Sequence, residues 1–291
     1  MDPSTLVQKE NVWKKVQIAP LPKTLASRTT KLSDLSNYVQ KNVAIFEYVP
    51  RDGNIKKPSY TMAVPYKENL WLVPYHAVSS APQLRVTIRY GGIHDVGLKR
   101  ASTTINENCW VRVMTDTRQY DLTLVRIVGA GDVPNMGKFF VPNDKPDSDF
   151  YPAEFIPAGS RALAVLKKFD GSTSQHIIPI GDPCHVQIKD RPDLSGLKIP
   201  YGELPEGFKT YKGMCMMPLI TLSSKPGIFG FHIGGNSSGD TGVAEFLDSA
   251  AISTAYGILN SKNDLRIVST GNFPETRMNT EIEIKPEVHP K

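Results

Sequence analysis

The chain has 291 residues, of which 40% are hydrophobic and 22% charged, and its formal net charge is +5. This length allows two domains of about 100 residues each with extensions, and the composition is that of a soluble globular protein rather than a disordered one. No stretch approaches the roughly 18 apolar residues that a transmembrane helix needs, and the first ten residues do not resemble a secretory signal. The modest positive charge permits contact with nucleic acid without requiring it.

Three cysteines occur, at positions 109, 184 and 215. An odd, small number in a chain of this length argues against a disulfide framework and indicates a reducing compartment. At least one thiol is therefore expected to be free for chemistry.

Residues 1–41 are predicted to form an N-terminal extension that contains a helix. Apolar residues at 32, 35, 38 and 39 have helical spacing, and Ser33 is the candidate N-cap.

Residues 42–140 contain short β-type runs separated by turn signals, with no helical pattern between them. We predict strands at 43–49, 60–64, 70–73, 84–90, 109–114 and 122–128. Closely spaced strands without helices between them are typical of an antiparallel barrel or sandwich.

Residues 141–158 contain four prolines and four acidic residues, and we interpret them as an interdomain linker. A second β-rich domain is predicted over 159–270, with strands at 162–169, 176–180, 185–189, 219–222, 228–233 and 242–246 and a helix at 249–260. Residues 271–291 are polar and are predicted to form a mobile tail.

Cys215 lies in the run Gly213-Met-Cys-Met-Met-Pro218. A glycine two residues before the cysteine permits a tight turn, and the proline three residues after it precedes a strand. The thiol and the N–H groups of Gly213, Met214 and Cys215 can then face one side, as a nucleophile with an oxyanion hole requires. A buried cysteine in an ordinary turn is the alternative interpretation.

A thiol needs a base to act as a nucleophile near neutral pH. His76 follows the hydrophobic run at 70–73, and Asp121 enters a largely apolar strand. Either residue alone could be structural. Together with Cys215 they follow the chain order histidine, acid, nucleophile, with the nucleophile in the second β-rich half, which is the pattern of an active site between two barrels.

Other acids and other kinds of site are alternatives to this one. Asp95, Glu107 and Asp116 are rivals to Asp121 as the residue that orients the histidine. No pair of residues has metal-ligand spacing, and no phosphate-binding glycine loop occurs, so we expect neither a metal nor a cofactor.

At these residues the chain resembles the chymotrypsin-like proteases. Gly213-x-Cys215-x-x-Pro218 is similar to their G-D-S-G-G-P motif with cysteine in place of serine, and Asp121-Leu-Thr-Leu-Val is similar to their D-I-x-L-[LV] strand. The cysteine narrows the resemblance to the 3C-like proteases of picorna-like RNA viruses, which usually have glycine where this chain has Met216. The resemblance implies an all-β fold of two antiparallel β-barrels.

A further motif concerns substrate selection. Gly230-Phe-His232-Ile-Gly234-Gly235-Asn236 resembles the G-[IVF]-H-[IV]-[AG]-G-N strand of that family. The resemblance implies that His232 and Thr210 contact a glutamine or glutamate side chain before the scissile bond, and that Gly234 and Gly235 line the substrate site.

The resemblance implies a viral cysteine endopeptidase that cuts a polyprotein after Gln or Glu in the host cell cytoplasm. Viral polyprotein, host proteins and viral RNA are the candidate partners. The alternative hypothesis is a protease-like fold that acts mainly as an RNA-binding or scaffold module, with an active site impaired by Met216.

Overall fold

The structure is a computed structural model that describes residues 14–15, 31–51, 57–91, 99–141, 160–188, 191–202 and 204–270, without side-chain detail for 14–15 and 263–270. Apart from Val141, the predicted linker at 141–158 lies outside the described residues, and so do the predicted tail at 271–291, the rival acid Asp95 and most of the predicted extension. No helix in these ranges is long and apolar enough to cross a membrane.

The first helix, α1 (Leu32–Asn42), buries Leu35, Ser36 and Val39 and packs against the second sheet. The prediction that Ser33 is its N-cap is wrong. Lys31 is the N-cap, because its extended backbone places its carbonyl oxygen 3.0 Å from the N–H of Leu35. Ser33 lies inside the first turn, where its hydroxyl contacts Asp34.

The first sheet has seven strands, and all their pairings are antiparallel. They are β2 (Ala44–Pro50), β3 (Ser59–Lys67), β4 (Leu70–Val73), β5 (Gln83–Tyr90), β6 (Lys99–Asn106), β7 (Trp110–Met114) and β8 (Gln119–Arg126), in the order β6-β5-β2-β3-β4-β8-β7. A one-turn helix, α2 (Tyr75–Val78), follows β4. The sequence missed β6 because it is a polar edge strand that buries only Ala101 and Ile105.

The second sheet has eight strands, again paired antiparallel. They are β1 (Lys14–Lys15), β9 (Arg161–Lys167), β10 (Thr173–Pro179), β11 (Cys184–Val186), β12 (Gly196–Tyr201), β13 (Pro218–Thr221), β14 (Ile228–Gly235) and β15 (Gly242–Phe246), in the order β1-β11-β12-β15-β14-β13-β9-β10. The sequence-based prediction also missed β12, because a lysine and a proline, Lys198 and Pro200, are not typical of a buried strand.

The largest hydrophobic cluster is shared by the two sheets. Leu72 and Leu122 of the first sheet belong to the same buried cluster as Leu219 and Phe231 of the second. The predicted C-terminal helix is longer than expected, since α3 spans Ser249–Thr270. It follows the last strand of the second sheet and returns to the first, where Asn260 accepts a hydrogen bond from Arg126 at 2.7 Å. The halves are therefore joined by packing as well as by the chain.

Candidate active site

His76 and Asp121 are in direct contact. His76 is the second residue of α2, and Asp121 lies in β8 with no solvent exposure. One carboxylate oxygen lies 2.7 Å from Nδ1 of His76, and the other accepts the backbone N–H of His76 at 2.9 Å. This two-point contact fixes the ring and puts its proton on Nδ1, so that Nε2 is left for a second partner.

Cys215 is the other group that acts on His76, since it contributes, after Asp121, to the electrostatics of the imidazole. Burial alone would lower the pKa of His76, but the charge and hydrogen bond of Asp121, followed by those of Cys215, raise that pKa to about 10. The side chain of His76 is only 8% exposed, so solvent screens these interactions little. The structure thus brings together the three residues that the sequence singled out.

The turn that carries Cys215 is held by β3 of the first sheet. The carbonyl oxygen of Cys215 accepts a hydrogen bond from the N–H of Met62 at 3.0 Å and another from the hydroxyl of Thr61 at 2.7 Å. Gly213 has a φ of +101°, which favours glycine. The thiol of Cys215 also lies 3.4 Å from the carbonyl oxygen of Ile233.

The backbone N–H groups of this turn differ in availability. The N–H of Met214 donates to the carbonyl oxygen of Tyr211 at 3.2 Å, so it is already used within the turn. The contribution of Met214 to an oxyanion hole stays a prediction, and the N–H groups of its two neighbours are the more available donors. Within the described part of the chain, the N–H groups of Gly213 and Cys215 meet no protein acceptor, and they could bind an oxyanion.

Met216 occupies the position where the 3C-like proteases that this sequence resembles usually have glycine. Its φ of +72° lies in the left-handed region, which costs a residue with a side chain about 1–2 kcal/mol. The side chain is fully buried in the shared core, and the N–H donates to the carbonyl oxygen of His232 at 2.7 Å. Burial of the methionine offsets the backbone strain.

A pocket lies beside Cys215, with about 210 Å³ of space when the open solvent at its mouth is included. It contains all four residues that the resemblance implied for substrate binding, and Met216 does not line it. The lining residues are Thr210, Tyr211, Lys212, Gly213, Cys215, His232, Gly234 and Gly235.

His232 is uncharged in this pocket. Burial, and then the charge of His76, lower the pKa of His232 to about 3. The hydroxyl of Tyr201 contacts Nδ1 of His232, and burial raises the pKa of Tyr201, which keeps this hydroxyl protonated. Donation from this hydroxyl to Nδ1 would put the ring proton of His232 on Nε2.

Gly235 leaves room for Thr210. A Cβ at residue 235 would lie 2.5 Å from Oγ1 of Thr210 and 2.6 Å from the carbonyl oxygen of Thr241. The Thr210 hydroxyl donates to that same carbonyl oxygen at 3.2 Å, which leaves its lone pairs as acceptors. A β-bulge between His232 and Gly234 shapes this wall.

Two residues that shape the site were missed by sequence reasoning. Tyr201 lies in a strand that the sequence did not predict, so its contact with His232 had no signal. Glu245 is fully buried and accepts the N–H of Asp121 at 3.0 Å. The sequence did indicate a structural role for Glu245, because a single acidic residue in the otherwise apolar strand at 242–246 needs buried partners.

Two of the rival acids lie away from His76. Glu107 and Asp116 are exposed and form no hydrogen bond or ion pair with His76. No group of three or more histidine, cysteine or carboxylate residues that could hold a metal occurs in the described ranges.

No protein-family model matches the chain, and no curated protein matches it. Solved structures do match. The HtrA-type protease AlgW with a tripeptide has 15% sequence identity and a TM-score of 0.50, over 80% of this chain and 64% of that one. The MamO protease domain from Magnetospirillum magneticum has 11% identity and a TM-score of 0.49 over 74% and 96%.

A third match is the HRV-C 3C protein with rupintrivir, at 14% identity and a TM-score of 0.42 over 74% of this chain and 97% of that one. At these identities a match shows the fold alone. With its two antiparallel sheets, this chain has the two-barrel fold of the chymotrypsin-like proteases, as the sequence predicted.

Proposed function

We propose that this protein is a 3C-like cysteine endopeptidase that processes a viral polyprotein in the host cell cytoplasm. The observation that carries the proposal is the convergence of His76, Asp121 and Cys215 beside a pocket whose buried donor, His232, is neutral. Each element has a defined task in peptide-bond cleavage.

Acylation uses the pair formed by Cys215 and His76. The thiolate of Cys215 attacks the scissile carbonyl carbon, and the N–H groups of Gly213 and Cys215 donate to the oxyanion. The His76 imidazolium gives its Nε2 proton to the leaving amine as the C–N bond breaks. Asp121 orients the ring and stabilises its charge throughout.

Deacylation uses the same groups in reverse. His76 accepts a proton from a water molecule as the water oxygen attacks the thioester carbonyl. The C–S bond then breaks, the acid product leaves, and the thiolate and imidazolium are restored.

The pocket favours glutamine as the residue before the scissile bond. The Nε2–H of neutral His232 donates to the side-chain carbonyl oxygen of glutamine, and Thr210, whose own hydrogen is used by Thr241, accepts from the amide NH₂. A glutamate carboxylate has no hydrogen for Thr210. An unpaired polar group in such a pocket is costly, so we expect glutamine to be preferred over glutamate.

The proposal is tested with peptides that differ only at the residue before the scissile bond. We expect the wild type to cut after glutamine, Cys215→Ala to cut nothing, and Cys184→Ala, which removes another buried thiol, to behave as wild type. Cleavage by Cys215→Ala, or full activity after Cys215 is alkylated by iodoacetamide, would contradict the assignment.

The alternative hypothesis of an impaired site rested on Met216. The buried position of that side chain, outside the pocket lining, argues against impairment. Viral RNA stays a candidate partner, and salt-dependent binding of RNA to the wild type is the measurement that tests it.

A further inference from the structure

A buried ionic cluster lies directly behind Asp121. Its centre is the carboxylate of Glu245 in β15, which is fully buried. Four donors satisfy it. Oε1 accepts from Nη2 of Arg118 at 3.1 Å and from the N–H of Phe246 at 3.1 Å. Oε2 accepts from Nζ of Lys198 at 2.7 Å and from the N–H of Asp121 at 3.0 Å.

The packing of the two sheets alone does not require such a cluster. Removing a carboxylate and an ammonium from water costs several kcal/mol per ion, and apolar residues of similar volume are often as stable or more stable. Lys198 is fully buried as well. We therefore expect the cluster to hold another group in place, and its hydrogen-bond donors identify that group.

One of those donors belongs to the residue that orients His76. Asp121 lies in the first sheet and Glu245 in the second, and the N–H that Glu245 accepts is the backbone of Asp121 itself. The Asp121 carboxylate makes its two contacts with His76, while its main chain is fixed from the opposite barrel.

We propose that Glu245 is a positioning residue that sets the place of Asp121, and through it the imidazole of His76 relative to Cys215. The inference rests on the proposed peptidase function and assigns a task to a residue outside the pocket. A displacement of about 1 Å in a catalytic array can cost on the order of 100-fold in rate. The hydrogen-bond acceptor at Glu245, rather than its charge, carries the effect on Asp121.

Two matched double variants separate the acceptor from the charge. Glu245→Gln with Lys198→Met removes the ion pair between Glu245 and Lys198 and keeps a side-chain oxygen for the N–H of Asp121, while Arg118 keeps the carbonyl oxygen of Leu197 as an acceptor. Glu245→Leu with Lys198→Met removes the oxygen too. Both variants lack an unpaired lysine ammonium in the core, so both should fold, and thermal unfolding compares their stability.

We expect kcat of the glutamine variant to lie within about threefold of wild type. We expect the leucine variant to lose about 10- to 100-fold in kcat with little change in KM, because the substrate pocket is untouched. The rate of Cys215 alkylation by iodoacetamide, read by mass spectrometry of the peptide containing Cys215, should fall in parallel. Equal kcat and equal alkylation rates in the two variants would overturn the proposal.

Asp248→Asn is the control for a general loss of packing. Asp248 is also buried, and it binds the hydroxyl of Tyr120 and the N–H of Ala251 without touching Asp121. We expect this variant to lose stability and keep kcat. If the leucine variant does not fold, Glu245→Asp withdraws the carboxylate by one methylene and should show the same loss, and a wild-type kcat there would overturn the proposal.

If the protein is not a peptidase, the same experiments give a different result. In that case the wild type neither cuts peptides nor shows Cys215 alkylation faster than that of the unfolded chain. If the wild type and Asp121→Asn differ strongly while all Glu245 variants match the wild type, only the positioning role is wrong.

Discussion

Gly213 lies against the ring of Tyr60, so that a Cβ at residue 213 would sit 2.8 Å from Cδ2 of the ring and closer still to Cε2. Residue 213 also has a φ of +101°. We expect Gly213→Ala to lower the free energy of unfolding by about 2–4 kcal/mol, because strain and overpacking add, and to abolish cleavage by moving the turn of Cys215. Denaturant unfolding and peptide cleavage measure the two effects.

Gly207→Ala is the matched control. Gly207 has a φ of +80° but nothing within 4 Å of its Cβ position, so its substitution carries strain without a clash. We expect a loss of about 1 kcal/mol and unchanged cleavage. If both alanine variants lose the same stability and activity, contact with Tyr60 is not the reason for glycine at 213.

Stability should fall as pH rises because of His76. Its pKa is near 6.5 in the unfolded chain and is raised to about 10 in the fold by Asp121 and Cys215 against the effect of burial. The stabilisation is then fully present below pH 6.5 and is lost between pH 6.5 and about 10. We expect the wild type to exceed His76→Gln by a few kcal/mol at pH 6, with the difference shrinking over that range.

Denaturant unfolding of both proteins from pH 5.5 to 10.5 measures this difference. Lys167 acts in the opposite sense, since burial lowers its pKa to about 8, but it is present in both proteins and cancels. A difference that stays constant from pH 6 to 10 would contradict an elevated pKa for His76.

Tyr201→Phe should weaken glutamine recognition. The variant removes the hydroxyl that donates to Nδ1 of His232, so the ring is free to carry its proton on the wrong nitrogen. We expect kcat/KM for a glutamine peptide to fall about tenfold, and the preference for glutamine over glutamate to shrink. Tyr90→Phe, which removes a hydroxyl bound to Ala130 in the first barrel, serves as control. An unchanged glutamine preference in Tyr201→Phe would count against the proposed pocket.

Met216→Gly compares two opposing effects on stability, the backbone strain at residue 216 and the burial of its side chain. Glycine would remove the cost of a φ of +72°, about 1–2 kcal/mol, but would empty a fully buried methionine site, which costs about 2–5 kcal/mol. We expect a net loss of stability of about 1–3 kcal/mol with cleavage retained. A large gain in cleavage would mean instead that Met216 impairs the site.

Short runs of apolar and β-branched residues predicted most strands, because strands such as β4, β13, β14 and β15 are buried along their whole length. This prediction failed at Lys99–Asn106, an edge strand, and at Gly196–Tyr201, where a buried lysine and a proline resemble loop residues. His76, Asp121 and Cys215 could be proposed because their local contexts resemble a known motif. Tyr201 could not, since it lies in an unpredicted strand and its partner is 31 positions away. Glu245 could be singled out as an acid in an apolar strand, but its partner, 124 positions away, could not be identified.

The carbonyl oxygen of Cys215 rests on two donors from β3, and Glu245 of the last strand holds the main chain of Asp121. The first sheet thus fixes the backbone at Cys215, and the second sheet fixes the backbone at Asp121. During synthesis, the first barrel would emerge with a histidine and an aspartate but no competent site. The proposed activity would switch on only after the final strand has docked, so the timing of the first cut would be set by completion of the fold.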